Sequence, residues 1–297
     1  MPEEVRKDTF EDHLVALSCY YGKRRSWYQK TRAEMYLSGQ LRSMGYEVKT
    51  ENIKYKLLKN RLIIAGNLDQ CEKVYITAFD TPRRSLIPNY KYYPFDDTRN
   101  RKNENIDTLL SGLILTAMFG TVMGIYYYFL KKISWPLIPV MMLVSMIYSI
   151  IMTNRNNFNK SSASMALLLS IAENSRKTAF VYVDNNSENN VGLKALFDRY
   201  GEILNRKELL YLDCLASGKE LVLAFGDKCQ KITPLKDVYT KKLRHTENGI
   251  LSISDKLQIL ISGSRVEKDF IVENLRTDKD LKLEKARLVR LIAELTY

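Results

Sequence analysis

The chain has little of what most metal and redox sites are made from. It carries two histidines and four cysteines in 297 residues. Cys19, Cys71, Cys214 and Cys229 form no Cys-x-x-Cys pair and no ligand spacing, so they are expected as buried free thiols in a reducing compartment. His13 falls on the first expected helix and His245 in "KKLRHTENG", and each is expected as a surface or helix-cap residue. No Gly-rich phosphate loop, Gly-x-Ser-x-Gly elbow or Cys/His ligand pattern occurs, so nucleotide and serine-hydrolase chemistry have no basis in the residues. The stretch "MPEEVRKDTFEDHLVALS" has no apolar run and does not read as a signal peptide.

The chain does have charge and length. Its net charge of +12 suits nucleic acid or an anionic membrane surface. Lys and Arg are spread along it without the aromatic interleaving of a single-strand binder, so no nucleic-acid partner is expected. The length allows one large α/β domain with a proper core, or two small ones.

Two long apolar runs stand in the middle. Thr108 to Leu130 carries no charge, and Ile133 to Met152 repeats the feature after Lys131 and Lys132. Together they predict a transmembrane helical hairpin, with Tyr126, Tyr127, Tyr128 and Trp135 at its tip and Pro136 near the start of its second helix. A hairpin returns the chain to its starting side. Arg99, Arg101, Lys102, Arg155 and Lys160 flank that side against the two tip lysines, which predicts a cytoplasmic soluble part at the cell membrane. Ser111, Gly112, Gly120 and Gly124 give the first helix small residues suited to close packing.

Outside these runs, apolar spacing predicts helices over Phe10 to Tyr21, Trp27 to Met44, "SSASMALLLSIAEN", "GLKALFDRYGEIL" and Leu281 to Leu295. Strands are predicted at "YEVKTENI", "RLIIAGN", "KVYITAFD", "KTAFVYVDN", "ELLYLDCLA", "ELVLAFG" and "KLQILISG". The alternation argues for a mainly parallel sheet covered on both faces, with ligand groups at the carboxyl ends of the strands. Asp80, Asp184, Asp213 and the "LRTDKD" turn at Arg276 stand at such ends.

The order of these strand ends resembles the zinc-dependent aminopeptidase family with a co-catalytic dizinc site, in particular its membrane-inserted bacterial branch. The resemblance rests on "TAFDTP" at Thr77, "NKSSASMA" at Asn159, "DNNSENNVGLKAL" at Asp184, "LDCLASG" at Leu212 and "LRTDKD" at Leu275. It implies a three-layer α/β/α domain with a mostly parallel sheet of the zinc-aminopeptidase type, in two parts (1–105 and 154–297) interrupted by a hairpin over 106–153. It also assigns the site. The first histidine ligand is replaced by Phe79 or by nothing, while the supporting aspartate matches Asp80. The carboxylate bridging two metals falls at Lys160, the general-base glutamate at Asn186, and the neighbouring metal-binding glutamate at Ser187. The last histidine ligand falls at Arg276. Only Asp213 keeps a ligand's identity.

Zinc needs about four donors, three from protein where one position holds water. A lone carboxylate cannot supply them, an ammonium at Lys160 would repel the dication, and Asn186 cannot take a proton from water. No metal and no other cofactor is therefore expected, and Asp80, Lys160, Asn186, Ser187, Asp213 and Arg276 are expected as a vestigial site. In it, Lys160 and Arg276 would pair with Asp213 and Asp80. The resulting expectation is a membrane-anchored pseudo-peptidase, not an enzyme, that binds a peptide or a partner subunit in a peptide maturation or export complex. An active membrane metallopeptidase with a rebuilt zinc site and a structural subunit of a transporter complex stand as alternatives.

Overall fold

The structure is a computed structural model that describes residues 9–131, 135–154, 157–175, 177–187, 189–229, 232–243, 250–267, 269–277, 279–280 and 282–296. His245, Lys132, Ile133, Arg155 and Leu281, all used in the sequence expectations, lie outside the described residues.

The chain opens with helices α1 (Phe10–Val15), continued by a π-helical turn (Ala16–Tyr20), and α2 (Trp27–Ser43). Each begins with a reciprocal capping box, Thr9 with Asp12 and Ser26 with Gln29, which satisfies amides that the first helical turn leaves unpaired. Three strands follow: β1 (Val48–Tyr55), β2 (Leu58–Ala65) and β3 (Lys73–Ala78). The short β4 (Lys91–Tyr92) precedes α3 (Asp97–Leu130) and α4 (Leu137–Ile151). A second π-helical turn (Phe158–Ser162) leads into α5 (Ala163–Ala172). The remainder is β5 (Thr178–Val183), α6 (Val191–Leu204), β6 (Glu208–Asp213), β7 (Glu220–Gly226), β8 (Tyr239–Leu243), β9 (Leu257–Val266), β10 (Asp269–Glu273) and α7 (Lys285–Thr296).

All ten strands form one sheet, in the order β1-β2-β5-β3-β6-β9-β10-β4, with β7 beside β9 and β8 beside β7. Its centre, β5-β3-β6-β9, is parallel. The pairings of β1 with β2, β2 with β5, β7 with β9, and β10 with both β9 and β4 are antiparallel. The expectation of a mostly parallel sheet is thus corrected to a mixed sheet with a parallel centre. Only strands joined by a long crossover can run parallel, and the β1–β2 and β9–β10 connections are tight hairpins.

Side chains on the central strands alternate between two cores, as period-two geometry requires. Tyr75, Phe180, Tyr182, Leu210 and Leu212 join the core beneath α1, α2, α5 and α7. Val74, Ile76, Val181, Val183, Leu209 and Tyr211 join the opposite core, with Leu193 and Leu196 of α6. Helix α5 is buried along its whole length, which fits its uninterrupted run "ASMALLLSIA". Gly192 opens α6 where the chain passes so close to β5 that a Cβ would lie 2.0 Å from the Asp184 carbonyl oxygen.

The expected pair of membrane-crossing helices is corrected to one. Among the described residues α3 alone is long and apolar enough to cross a membrane, and its apolar window is 6% buried. Helix α4 has 15 residues, about 22 Å at ~1.5 Å per residue, against a hydrocarbon core of about 30 Å. The two helices still touch near their bases, where the Tyr148 hydroxyl donates to the Ser111 carbonyl at 3.3 Å. A Cβ at Gly112, Gly120 or Gly124 would meet nothing within 4 Å, so these small residues pack against nothing else in the described chain.

Candidate functional site at the strand ends

The parallel strands β5, β3 and β6 end side by side and bring Asp184, Asp80 and Asp213 to one rim. Each aspartate is buried; lysines answer Asp213 and Asp184, and backbone amides answer Asp80.

Asp213 faces Lys160, whose ammonium lies 2.7 Å from its Oδ2. The π-helical turn presents that lysine from below α5, and two side chains clamp the turn. The Asn159 amide donates to Asp280 at 3.0 Å. The Asn159 Oδ1 accepts from the amides of Ala216 and Ser217 at 2.8 and 3.1 Å. Lys160 also sits 4.7 Å from the centroid of the Tyr92 ring, a cation–π contact in a desolvated place. Burial by itself would lower the lysine, but Asp213 above all holds it well above its ordinary value, so the pair is ionic. Burial pushes the neighbouring Cys214 thiol and Tyr211 phenol well up, and Asp213 adds to both shifts. Neither group ionises near neutrality.

Asp80 acts as a backbone receptor. Its two oxygens accept the amides of Asn186 and Ser187, each at 3.0 Å. Asn186 is then committed on both sides: its Nδ2 donates to the Tyr211 hydroxyl at 2.7 Å, and its Oδ1 accepts the Leu193 amide at 3.0 Å. The position expected to carry a general base is a structural clip between β6 and α6. Ser187 offers its carbonyl oxygen to Arg276 at 3.1 Å.

Arg276 departs from expectation. Instead of pairing with Asp80 it reaches Glu104 at 3.2 Å and lies 5.1 Å from the Tyr90 ring centroid. Arg276 takes a left-handed backbone, φ 65°. Cys214 is likewise left-handed at φ 53°. Non-glycine residues held there cost of order 1–3 kcal/mol each, and such strain concentrates at functional rims.

Asp184 pairs with Lys30 of α2 at 2.6 Å. Burial raises the Asp184 carboxyl against the pull of Lys30, and the nearby Asp80 adds to the rise. Phe79, standing where a histidine ligand was sought, is fully buried in the core. Its carbonyl accepts from Arg24 Nε.

Arg24 is the residue that the sequence reading missed. It is fully buried and donates to the carbonyls of Leu17, Tyr21 and Phe79 and to the hydroxyls of Ser161 and Ser162. Burial lowers its guanidinium to about 9, with Asp80 opposing. In the sequence it sits in the basic loop "GKRRS", which reads as solvated surface. His13 was also misplaced, being buried with its Nδ1 3.0 Å from the Tyr36 hydroxyl and its Nε2 3.7 Å from Glu173.

Beside Asp80 the rim opens into a cavity of about 340 Å³. Arg24, Arg25, Lys30 and Arg83 line it with Asp80 and Ser187. The cations outnumber the single lining carboxylate, so the wall favours an anion or the acidic end of a chain.

The residues do not fit a pair of zinc ions. Among the described residues no group of three or more His, Cys, Asp or Glu could hold a metal ion. Lys160 already occupies the Asp213 carboxylate, and the Asn186 side chain is already engaged by Tyr211 and by the Leu193 amide. No step is therefore assigned to zinc.

No protein-family model and no curated protein matches the sequence. Solved structures do match in shape. Glutaminyl cyclase from Porphyromonas gingivalis superposes with a TM-score of 0.56 at 11% identity, covering 97% of this chain and 96% of that one. The Bacteroides thetaiotaomicron glutaminyl cyclase bound to N-acetylhistamine gives 0.54 at 12%, covering 99% and 98%. A zinc aminopeptidase from Bacillus subtilis gives 0.53 at 10%, covering 97% and 93%. These likenesses correct the expectation that the chain is not an enzyme. The neighbours in fold are enzymes, and replaced zinc ligands do not by themselves establish inactivity. The chain has the mixed α/β fold shared by glutaminyl cyclases and zinc aminopeptidases.

Proposed function

We propose that the chain is a membrane-anchored protein of the aminopeptidase and glutaminyl-cyclase fold that binds an acidic peptide segment, of a free peptide or of a partner subunit, at the strand-end cavity. The carrying observation is the cationic cavity of about 340 Å³ beside Asp80, walled by Arg24, Arg25, Lys30 and Arg83. Its floor is rigid. Asp80 pins the Asn186–Ser187 backbone, and Arg24 ties the entrance loop to the π-helical turns. A preformed site loses little freedom on binding, which is how a small cavity holds a chain end.

Anchoring is supported by α3, whose apolar window is only 6% buried within the described residues. Arg83, which lines the cavity, also reaches Asp107 at 3.9 Å and the Ser111 hydroxyl at the root of that helix. The reading therefore puts the cavity close to the membrane surface, suited to a peptide that is itself membrane-associated. A role in a peptide maturation or export complex follows from that placement.

The test is fluorescence anisotropy of a labelled acidic peptide with detergent-solubilised chain. Binding that weakens about tenfold or more in Arg83→Glu, and that loses to added salt, is the expected result. Equal binding of acidic, neutral and basic peptides would contradict the reading.

A further inference from the structure

A second cavity, of about 530 Å³, lies where the globular part meets the apolar helices. Its walls are the loop Arg84 to Asn89, the end of α4 at Ile151 and Met152, and Asn274, Thr277 and Lys279 from the turn after β10. Three observations fix its level relative to the apolar stretch. Asp107, the last charged residue of α3 before that stretch, accepts from the Ser85 hydroxyl at 3.0 Å and the Leu86 amide at 2.7 Å. The Arg84 amide donates to the Met152 carbonyl at 3.1 Å, so the loop is stitched to the last turn of α4. Arg83 and Thr153 form an isolated antiparallel bridge that closes the stitch. The cavity therefore sits where both helices pass from apolar to polar surroundings.

Its lining is two-sided. Leu86, Ile87, Pro88, Ile151 and Met152 offer hydrocarbon, while Arg84 and Lys279 bring positive charge to the rim with no carboxylate among the lining residues. Lys279 is exposed, and its ammonium makes a long contact, 3.4 Å, to Asn89 Oδ1. An apolar trough topped by two cations, at the depth of the headgroup layer, matches an anionic phospholipid in both halves.

We propose that this cavity is a binding site for one anionic phospholipid, with an acyl chain against Ile87, Ile151 and Met152 and the phosphate between Arg84 and Lys279. The site rests on the membrane-anchored reading above and is separate from the peptide cavity. Bound lipid would bridge α4, the loop and the β10 turn, which carries Arg276. A headgroup at this site thereby braces one wall of the strand-end rim.

The test reconstitutes the full chain into vesicles of phosphatidylcholine alone and of equal parts phosphatidylcholine and phosphatidylglycerol, then counts lipid adducts by native mass spectrometry. In the mixed vesicles the native chain is expected to retain phosphatidylglycerol over phosphatidylcholine, with the preference falling about fivefold in Lys279→Gln and further in the Arg84→Gln, Lys279→Gln pair. Lys228→Gln, an exposed cation paired with Asp255, serves as the control and should leave the preference unchanged. Thermal melting of each variant in detergent identifies any that fails to fold, and Lys279→Gln, being exposed, keeps the test readable if the double variant does not. Equal retention of both lipids, or a preference that survives loss of Lys279 and Arg84, would overturn the proposal. Competition by glycerol phosphate as strong as by the lipid would also overturn it, in favour of a free phosphate ester. A chain that fails to enter phosphatidylcholine vesicles at all would overturn the anchoring reading itself, an outcome distinct from a lost lipid preference.

Discussion

The two halves of the strand-end rim solve the same electrostatic problem in opposite ways. At the end of β6, Asp213 is sealed under Lys160 and Tyr92 and the space is filled. At the ends of β3 and β5, Asp80 and Asp184 are satisfied by backbone amides and by Lys30, and a cavity remains open beside them. Lys160 and Tyr92 cover Asp213, whereas Asp80, answered by backbone amides, keeps an open cavity beside it. The position at the end of β6 is thus closed, while the neighbouring position stays open.

The sharpest way to break this contrast is to remove the seal. Lys160→Met leaves Asp213 buried without a partner, which costs about 3–5 kcal/mol and should lower the melting temperature by roughly 10 °C. Replacing both residues, Lys160→Met with Asp213→Leu, should recover most of that loss. Thermal unfolding by circular dichroism in detergent reads both, and unchanged stability in the single variant would show that the pair carries no weight.

Asp280 sharpens the comparison through pH. Burial raises its carboxyl to about 7, against hydrogen bonds from the amides of Asn159 and Lys160 that lower it. Because the folded value exceeds the unfolded one, the folded state holds the proton more tightly. Its contribution is full below about pH 4 and is lost as pH rises through about 7. Asp280→Asn keeps the acceptor for the Asn159 amide and removes the cost of the buried charge. It should match the native chain below about pH 4 and exceed it by roughly 2–4 kcal/mol at pH 8. Parallel stability curves for the two proteins would refute this.

On the open side the expected effects are smaller and concern binding. Lys30→Gln strips the partner from Asp184 and one cation from the cavity wall, and should weaken acidic peptides about fivefold to tenfold in the anisotropy titration. The smallest expected effect is that of zinc. Added to the native chain, it should not shift the melting temperature, because Lys160 already holds the carboxylate that a metal would need.

Much of the fold was legible because its central strands are continuous apolar runs between turn residues. "KVYITA", "TAFVYV" and "ELLYLD" appear as β3, β5 and β6. Strands β4 and β8 were not, since edge positions carry mixed, partly exposed residues such as "YTKKL" that bury too little to show a pattern, nor was β10, whose five residues give too short an apolar run to stand out. In the site, the pairing of Lys160 with Asp213 was readable because a cation aligned with a lone surviving carboxylate demands a partner. The turn of Arg276 toward Glu104 was not, since the two are 172 residues apart and only the fold brings them together. Arg24 stayed hidden for a related reason: only the folded chain brings its loop between two π-helical turns and the end of β3. The length of α4 was misread because apolar composition marks a segment without marking where its helix starts.

The most direct measurement of the central claim is hydrogen exchange by mass spectrometry with and without a saturating acidic peptide. The account predicts slower exchange at Thr81 to Arg84 and at Asn185 to Val191, with none at the turn carrying Lys160. Protection centred on the Lys160 turn and β6, or none at the open cavity, would contradict it.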